Sequence, residues 1–441
     1  MSPRTLRLLR RRLALLGLLL ALWAARERLS LSGAPADRLR FAHTFTSAAE
    51  QEILSAACAE LERRHPGLRV EQVLTSSDVY DRIGWRLQHQ GRSPPDVWFQ
   101  WEGWKVEHAA ARGWALDLRP HLSPGFLEQL APAAVPTQGP LYLLPFSADL
   151  CNLVWYDQDL FRAQGLATPR TLEEWTALCA TLRARGVLPL VQGNRDLWPL
   201  GNLAQELLAQ ELGAAQVGRL YRPLPPGSAG PDAVTPADLA GLAPLVALRA
   251  GRAFDLPGLV APGGVATLDD TAAKVLFLSG QAAQHVVGSW FLADVRDAQD
   301  RGELGFTVDC FPVPPPRGRP DVLAAVKTGF LVHPRSPHRA AAVELVELLL
   351  SAEYQARFAA LGTLSLRRDA PALTADPRAR RMLALLGAAP ALVPPPDTGY
   401  PAAQAELAYR SVARLLAGEL DLAGAARAWS QGKRALAGRG R

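Results

Sequence analysis

The chain has 441 residues, 49% of them hydrophobic and 20% charged. That is a globular composition, long enough for two or three cores and unlike a disordered chain. The formal net charge of +6 does not mark a nucleic-acid binder, because residues 1–36 hold seven Arg and one Glu while the remainder balances 41 basic against 41 acidic residues. A balanced body excludes a phosphate-binding surface, so no nucleic-acid partner is expected.

The leader carries Arg4, Arg7, Arg10, Arg11 and Arg12, followed by a 13-residue apolar run, Leu13 to Ala25. This run is short of the roughly 20 residues a membrane span needs. Ala34-Pro35-Ala36 then offers a small-residue cleavage site before Asp37. Residues 1–36 read as a secretory signal peptide. An uncleaved N-terminal anchor is the alternative, because Arg26, Glu27 and Arg28 follow the apolar run directly. No Cys lies near the end of the leader, which argues against a lipid anchor. Cys58, Cys151, Cys179 and Cys310 are widely spaced, with no C-x-x-C pair, and the eight His are scattered. Buried free thiols are expected, with no metal site and no cofactor. Arg outnumbers Lys 44 to 4, a compositional bias that lowers the information in any single Arg.

Leu39–His43 reads as a strand and Ala48–His65 as a helix stopped by Pro66-Gly67. Leu68–Leu74 follows as a strand, which makes a β-α-β unit and favours parallel pairing. Val79–Gln90 is predicted helical and Asp96–Gln100 a strand. Trp98, Trp101, Trp104 and Trp114 put four of the eleven Trp within 17 residues. Strand alternation places Trp98 and Gln100 on one face and Phe99 and Trp101 on the other. Strands are predicted at Leu141–Phe146 and Leu153–Tyr156, with the polar run Ser147–Asn152 between them as a loop. Helices follow at Asp157–Gln164 and from Thr171, an N-cap with Glu174 in capping-box spacing, to Arg185. Leu188–Val191 reads as a strand, Gly193–Pro199 as a polar loop holding Trp198, and Asn202–Leu212 as a helix. The Pro/Gly-rich stretch 222–236 is a surface loop, and Ala237–Arg249 is helical.

Thr271–Trp290 reads as a helix, a Gly280 stop, a strand Ala282–Val287 and a Gly288-Ser289-Trp290 turn. An indole at the carboxyl end of a strand in an α/β protein lies where ligands bind. The strands Gly305–Phe311 and Ala324–Val332 flank a Pro-rich turn at Pro312–Pro320. Helices at Pro337–Leu350, Glu353–Leu361, Pro377–Leu386, Ala402–Ala417 and Asp421–Gly432 complete the chain, with a frayed basic tail from Lys433. Aromatic rings clustered at strand ends suit the apolar faces of sugar rings, whose rims carry hydroxyls. A Trp-rich packing cluster is the plainer alternative.

The order of these motifs resembles the extracellular solute-binding proteins of bacterial carbohydrate ABC transporters. The resemblance rests on FAHTFTSAAEQEIL, SPPDVWFQWEGWKVEHAAARGWALDL, NLVWYDQDLFRAQGLATPRTLEEW, GVLPLVQGNRDLWP, FLSGQAAQHVVGSW, GFTVDCFPVP and GFLVHPRSPHRAAAVELVELLLSAEYQARF, in that order across residues 39–430. Departures are Tyr156-Asp157 in place of Tyr-Asn, Gln281 and Gln284 in the Gly280 motif, and Ser365 where the family has Pro. The resemblance implies an α/β, periplasmic-binding-protein-like fold of type II, with mixed, mostly parallel sheets in two lobes around a ligand cleft. It divides the chain into the leader 1–36, lobe 1 at 37–147 and 324–367, and lobe 2 at 148–323 and 368–441. It places at the cleft Phe45, Thr46, Trp101, Glu102 and Trp104, then Asp149, Asn152, Arg195, Asp196, Trp198, Ser289 and Trp290, with Tyr400 from the C-terminal segment. Trp101, Trp198 and Trp290 would stack on pyranose faces, and the polar groups would bond hydroxyl rims. The implied partners are a carbohydrate and the membrane permease subunits of an ABC transporter, served by a monomer. Two rivals remain: a membrane-anchored sugar sensor of the same fold, and a secreted glycoside hydrolase. The hydrolase would need two carboxyls roughly 5–9.5 Å apart, and no G-x-S-x-G, H-E-x-x-H or P-loop is present.

Overall fold

A computed structural model describes residues 37–74, 94–225, 234–253, 268–316 and 322–438. The expected leader, the helix Val79–Gln90 and parts of the loops 222–236 and 312–320 lie outside the described residues.

The first lobe is built on a mixed sheet in the order β2-β1-β3-β8-β4. β1 (Arg38–His43), β2 (Arg69–Leu74) and β3 (Val97–Trp101) run parallel. Between β1 and β2 lies the helix Ala48–Arg64, capped by Ser47, whose Oγ accepts from Glu50 N–H while Glu50 returns a bond to Ser47. This capping box satisfies two orphan donors at once. β4 (Leu144–Leu150) and β3 both flank β8 (Val322–Val332) antiparallel. Leu39, Phe41, Leu54, Phe99, Phe146, Phe330 and Phe358 form the core under this sheet. The second lobe carries the antiparallel sheet β6-β5-β7, from Gln284–Val287, Leu153–Asp157 and Val308–Pro312. Helices including Leu172–Ala184, Trp198–Leu212 and Ala402–Ala417 cover one side of it, with Trp175, Tyr221 and Trp429 buried. β9 (Ala391–Val393) pairs parallel with the first residues of β8. Among the described strands three ladders are parallel and four antiparallel. The sheets are therefore mixed, as expected, but parallel pairing does not predominate.

Several elements differ from their sequence expectation for identifiable reasons. Of the predicted loop Ser147–Asn152, the residues up to Leu150 belong to β4, because the long β8 offers them a ladder and Thr328 Oγ1 meets Ser147 Oγ at 2.7 Å. Leu188–Val191 contributes only a single bridge, Val191 to His285. Pro189 lacks a donor for a ladder, and its carbonyl instead accepts from Gln284 Nε2 at 3.1 Å. The predicted helix Asn202–Leu212 starts at Trp198, with Pro199 in the first turn, where its missing N–H costs nothing. The predicted helix Ala237–Arg249 divides into a 3₁₀ turn, Ala237–Leu242, and the helix Ala243–Ala250. Helices Trp104–Ala111, Ala214–Tyr221 and Phe291–Asp300 carried no sequence expectation. The tail does not fray at Lys433. The helix Leu422–Gly438 runs through it, and the Lys433 ammonium is buried, donating to the carbonyls of Arg219 and Leu220 at the end of Ala214–Tyr221. Cations there complement the helix dipole. All four cysteines are free thiols, three of them buried and Cys310 half-buried.

Gly329 shows how tightly β8 sits against β4, since a Cβ there would fall inside the Leu144 carbonyl group. Gly329→Ala should cost about 1–3 kcal/mol, read as a lower denaturant midpoint with an unchanged m-value.

Candidate functional site

β3, β8 and β4 bring the predicted groups into one row. Trp101 pairs with Thr328, and Asp149, two strands away, pairs with Val326. Adjacent strands lie about 4.8 Å apart and rise about 3.3 Å per residue, so Trp101 and Asp149, offset by two residues along β8, have backbones roughly 12 Å apart. Trp101 is half-buried and packs against both the first-lobe core and the larger second-lobe core. Phe99 meets it edge-on at 5.4 Å, and the Lys105 ammonium lies 5.4 Å from its centroid. Glu102 N–H donates to the Lys327 carbonyl, and the Glu102 carboxylate pairs with Lys327 Nζ at 3.1 Å.

Asp149 connects this row to the second lobe. Ser289 Oγ donates to Asp149 Oδ1 at 3.0 Å and accepts from Leu150 N–H, while Ser289 N–H donates to the Leu150 carbonyl. Burial raises the Asp149 carboxyl to about 6, against the lowering effect of the Ser289 bond. Trp290 follows directly and meets Trp198, with ring centroids 5.8 Å apart and planes tilted 53°. Both indoles are half-buried against the core that contains Trp155, Phe277 and Phe291.

The loop before Trp198 is held by protein contacts. The Arg195 guanidinium pairs with Asp269, Arg195 N–H donates to the Leu268 carbonyl, and Asp196 Oδ2 accepts from Asp270 N–H. Arg195 and Asp196 are exposed, but each already has these partners. Leu197 has φ +66°, a left-handed conformation uncommon for a side-chain-bearing residue.

Other predicted residues stand apart from this row. Phe45 closes an aromatic cluster of the first lobe, 4.9 Å from Phe99 and 5.8 Å from Phe146. Thr46 is exposed in the same exit loop. Trp104 stacks on His108 at 4.9 Å in the helix Trp104–Ala111. Tyr400 stacks on the buried Tyr221 at 5.3 Å. Gly103, with φ +122°, abuts the short helix Pro396–Gly399, and a Cβ on it would stand 2.6 Å from the Thr398 carbonyl oxygen.

Asn152 departs furthest from expectation. It is 3% exposed, and its amide donates to Glu206 Oε2 at 2.7 Å and to the Asn202 carbonyl at 3.1 Å. It serves the connection between the lobes and offers no free donor to a ligand. Glu206 also accepts from the Ala324 backbone on β8, and Cys151 N–H donates to the Ala324 carbonyl at 2.8 Å. One carboxyl thus ties together two of the segments that pass between the lobes. Burial pushes it up to about 8, so it is protonated at neutral pH. Lys327, Glu206 and Thr328 had no place among the expected residues. Lys327 carried a usable signal, being one of four lysines in an Arg-rich chain.

Among the described residues no helix is long and apolar enough to cross a membrane, and no cluster of three metal-ligating side chains occurs. The profile of the bacterial extracellular solute-binding protein family matches residues 46–356, and the chain belongs to that family. Two uncharacterised ABC transporter extracellular-binding proteins of Pyrococcus horikoshii are 26% identical over 168 residues and 21% identical over 184 residues. These matches cover 37% and 39% of this chain, and the chain spans about two fifths of the length of these curated relatives (39% and 41%). Among solved structures, a chitin oligosaccharide binding protein superposes with a TM-score of 0.76 at 19% identity, covering 91% of this chain and 98% of that one. A protein from a study of xylan utilization by the thermophilic bacterium Caldanaerobius polysaccharolyticus gives 0.75 at 20% identity, with 89% and 99% covered. RafE in complex with raffinose gives 0.71 at 16% identity, with 91% and 99% covered. The fold is that of the two-lobed solute-binding proteins.

Glu206 generates a pH prediction. Its folded value of about 8 lies above the 4.5 of the unfolded chain. Between these values the folded state keeps a proton that the unfolded chain has released, so stability falls as pH rises and flattens above the folded value. Buried His285, lowered to about 4, acts oppositely below 6.5. The Glu206 effect therefore stands clear between about pH 6.5 and 8 and amounts to about 2 kcal/mol. Glu206→Gln should flatten the fall in Tm over that window in thermal unfolding.

Proposed function

We propose that this protein is an extracytoplasmic receptor that binds a mono- or oligosaccharide between its lobes and delivers it to the permease of an ABC transporter. The observation that carries the reading is the half-exposed Trp198–Trp290 pair, reached from Trp101 and Glu102 through Asp149 and Ser289. Indole faces suit the apolar C–H surfaces of pyranose rings, and carboxylates accept strongly from hydroxyl rims. Membership of the solute-binding family and the saccharides named for the structural neighbours support the same reading. The receptor performs no chemistry. It is exported by its leader and works as a monomer without a cofactor. Arg195 and Asp196 hold the loop that carries Trp198, Phe45, Thr46, Trp104 and Tyr400 lie outside the central row, and Asn152 acts in the hinge.

Binding to the native state alone raises the melting temperature, so a thermal-shift screen against a panel of mono- and oligosaccharides should yield at least one hit. For that sugar, Trp290→Ala and Trp101→Ala should each lower affinity more than about tenfold, or about 1.4 kcal/mol, by titration calorimetry. Unchanged affinity in both variants would remove these two rings from the site. The Asp149 carboxyl near 6 adds a pH dependence. Its ionised form is the stronger acceptor, so affinity should rise as pH increases from about 5 to about 7 and lose that dependence in Asp149→Asn.

A further inference from the structure

Gly288 has no backbone reason to be glycine, since its φ is not among the positive values of the chain. Its reason is space. A Cβ built on Gly288 would collide with the six-membered ring of the Trp290 indole, at Cζ3, Cη2 and Cε3. The indole therefore folds back over its own chain, onto the bare Gly288 backbone, and this turn brings it to Trp198. The segment is fixed around that fold. Ser289 exchanges two bonds with Leu150, and the carbonyls of Gly288 and Ser289 accept from Phe291 and Leu292 as the helix Phe291–Asp300 begins. From the other side, Trp198 is aimed by Leu197 in its left-handed conformation and by the loop's bonds to Leu268, Asp269 and Asp270. None of these devices requires a ligand.

We propose that Gly288 is a positioning residue that preassembles Trp198 and Trp290 into one bent aromatic platform before any ligand arrives. The spacing defines how the platform is used. A ring sandwiched between two indoles needs two van der Waals contacts of about 3.5–4 Å, hence a gap of about 7–8 Å. The observed centroids are 5.8 Å apart and the planes are tilted 53°. A ligand covers the pair from its open side and does not slot between the rings. Because both indoles are already ordered, their immobilisation is not charged against binding. That the covering ligand is a saccharide rests on the function proposed above, whereas the preassembly does not.

The test uses the full chain without sugar. Two indoles this close should give an exciton couplet in far-ultraviolet circular dichroism. The couplet should be present in the sugar-free wild type, vanish in Trp198→Phe, and lose at least about half its amplitude in Gly288→Ala. Its absence from the sugar-free wild type, or its survival unchanged in Gly288→Ala, would overturn the proposal. If Gly288→Ala folds poorly, the double variant Gly288→Ala/Trp290→Ala decides. Removing the indole should restore the melting temperature to that of Trp290→Ala alone, because the two sites couple only through the collision. A double variant as unstable as Gly288→Ala would sink the positioning role. A couplet abolished by Gly288→Ala in a protein that binds no saccharide from the panel would uphold the platform while removing the sugar reading.

Discussion

The structure depends on a strand that outlasts the sheet it starts in. β8 has eleven residues, pairs β9 at its beginning, β4 along its middle and β3 at its end. Buried backbone groups must be paired wherever they lie, and β8 meets that demand continuously from one lobe into the other. Cys151 N–H, in another connection between the lobes, donates to the Ala324 carbonyl of β8. These crossings are thus bonded directly to each other, and Glu206 bonds to both. Burial, which disfavours the charged form, raises the Glu206 carboxyl to about 8 against the lowering effect of the bonds it accepts from Asn152 and Ala324.

The candidate site grows from this joint. Asp149 is the penultimate residue of β4, next to the crossing, and its bond to Ser289 hands the row of groups from the first sheet to the turn after β6. The polar groups near the indoles are mostly paired within the protein: Glu102 with Lys327, Arg195 with Asp269, Asp196 with Asp270 N–H. Such pairing holds side chains in place and leaves remaining lone pairs and edges for an incoming partner.

Much of the fold was legible because hydrophobic periodicity and turn chemistry agreed. The Pro66-Gly67 stop, Thr171 and Glu174, and the Gly280 stop marked their elements within a residue or two. What was not legible depended on distant partners. Ser147–Asp149 is polar and reads as loop until β8 supplies a ladder. Leu188–Val191 is apolar and reads as strand until Pro189 is counted against it. Trp101 and Trp290 stood out at the ends of predicted strands, whereas Ser289 was named through the resemblance alone. Asn152, which the resemblance places at the cleft, bonds Glu206, 54 residues away, a distance no local pattern spans. The lysines were the overlooked signal. In an Arg-rich chain, Lys105 lies over Trp101, Lys327 pairs with Glu102, Lys274 bridges Asp270 and Asp294, and Lys433 is buried at a helix end.

The contact of Gly103 with Thr398 and Gly399 has a consequence for how tightly any guest is held. Residue 103 follows the first-lobe strand β3, whereas the Pro396–Gly399 turn leans on second-lobe helices, so in the closing receptor proposed above a side chain at 103 would wedge between the two halves. A methyl group there would act as a doorstop. It would thin the population of shut molecules, and apparent affinity scales with that population. The loss would be the same for every guest, so position 103 can tune strength of retention while leaving the order of preference among guests untouched.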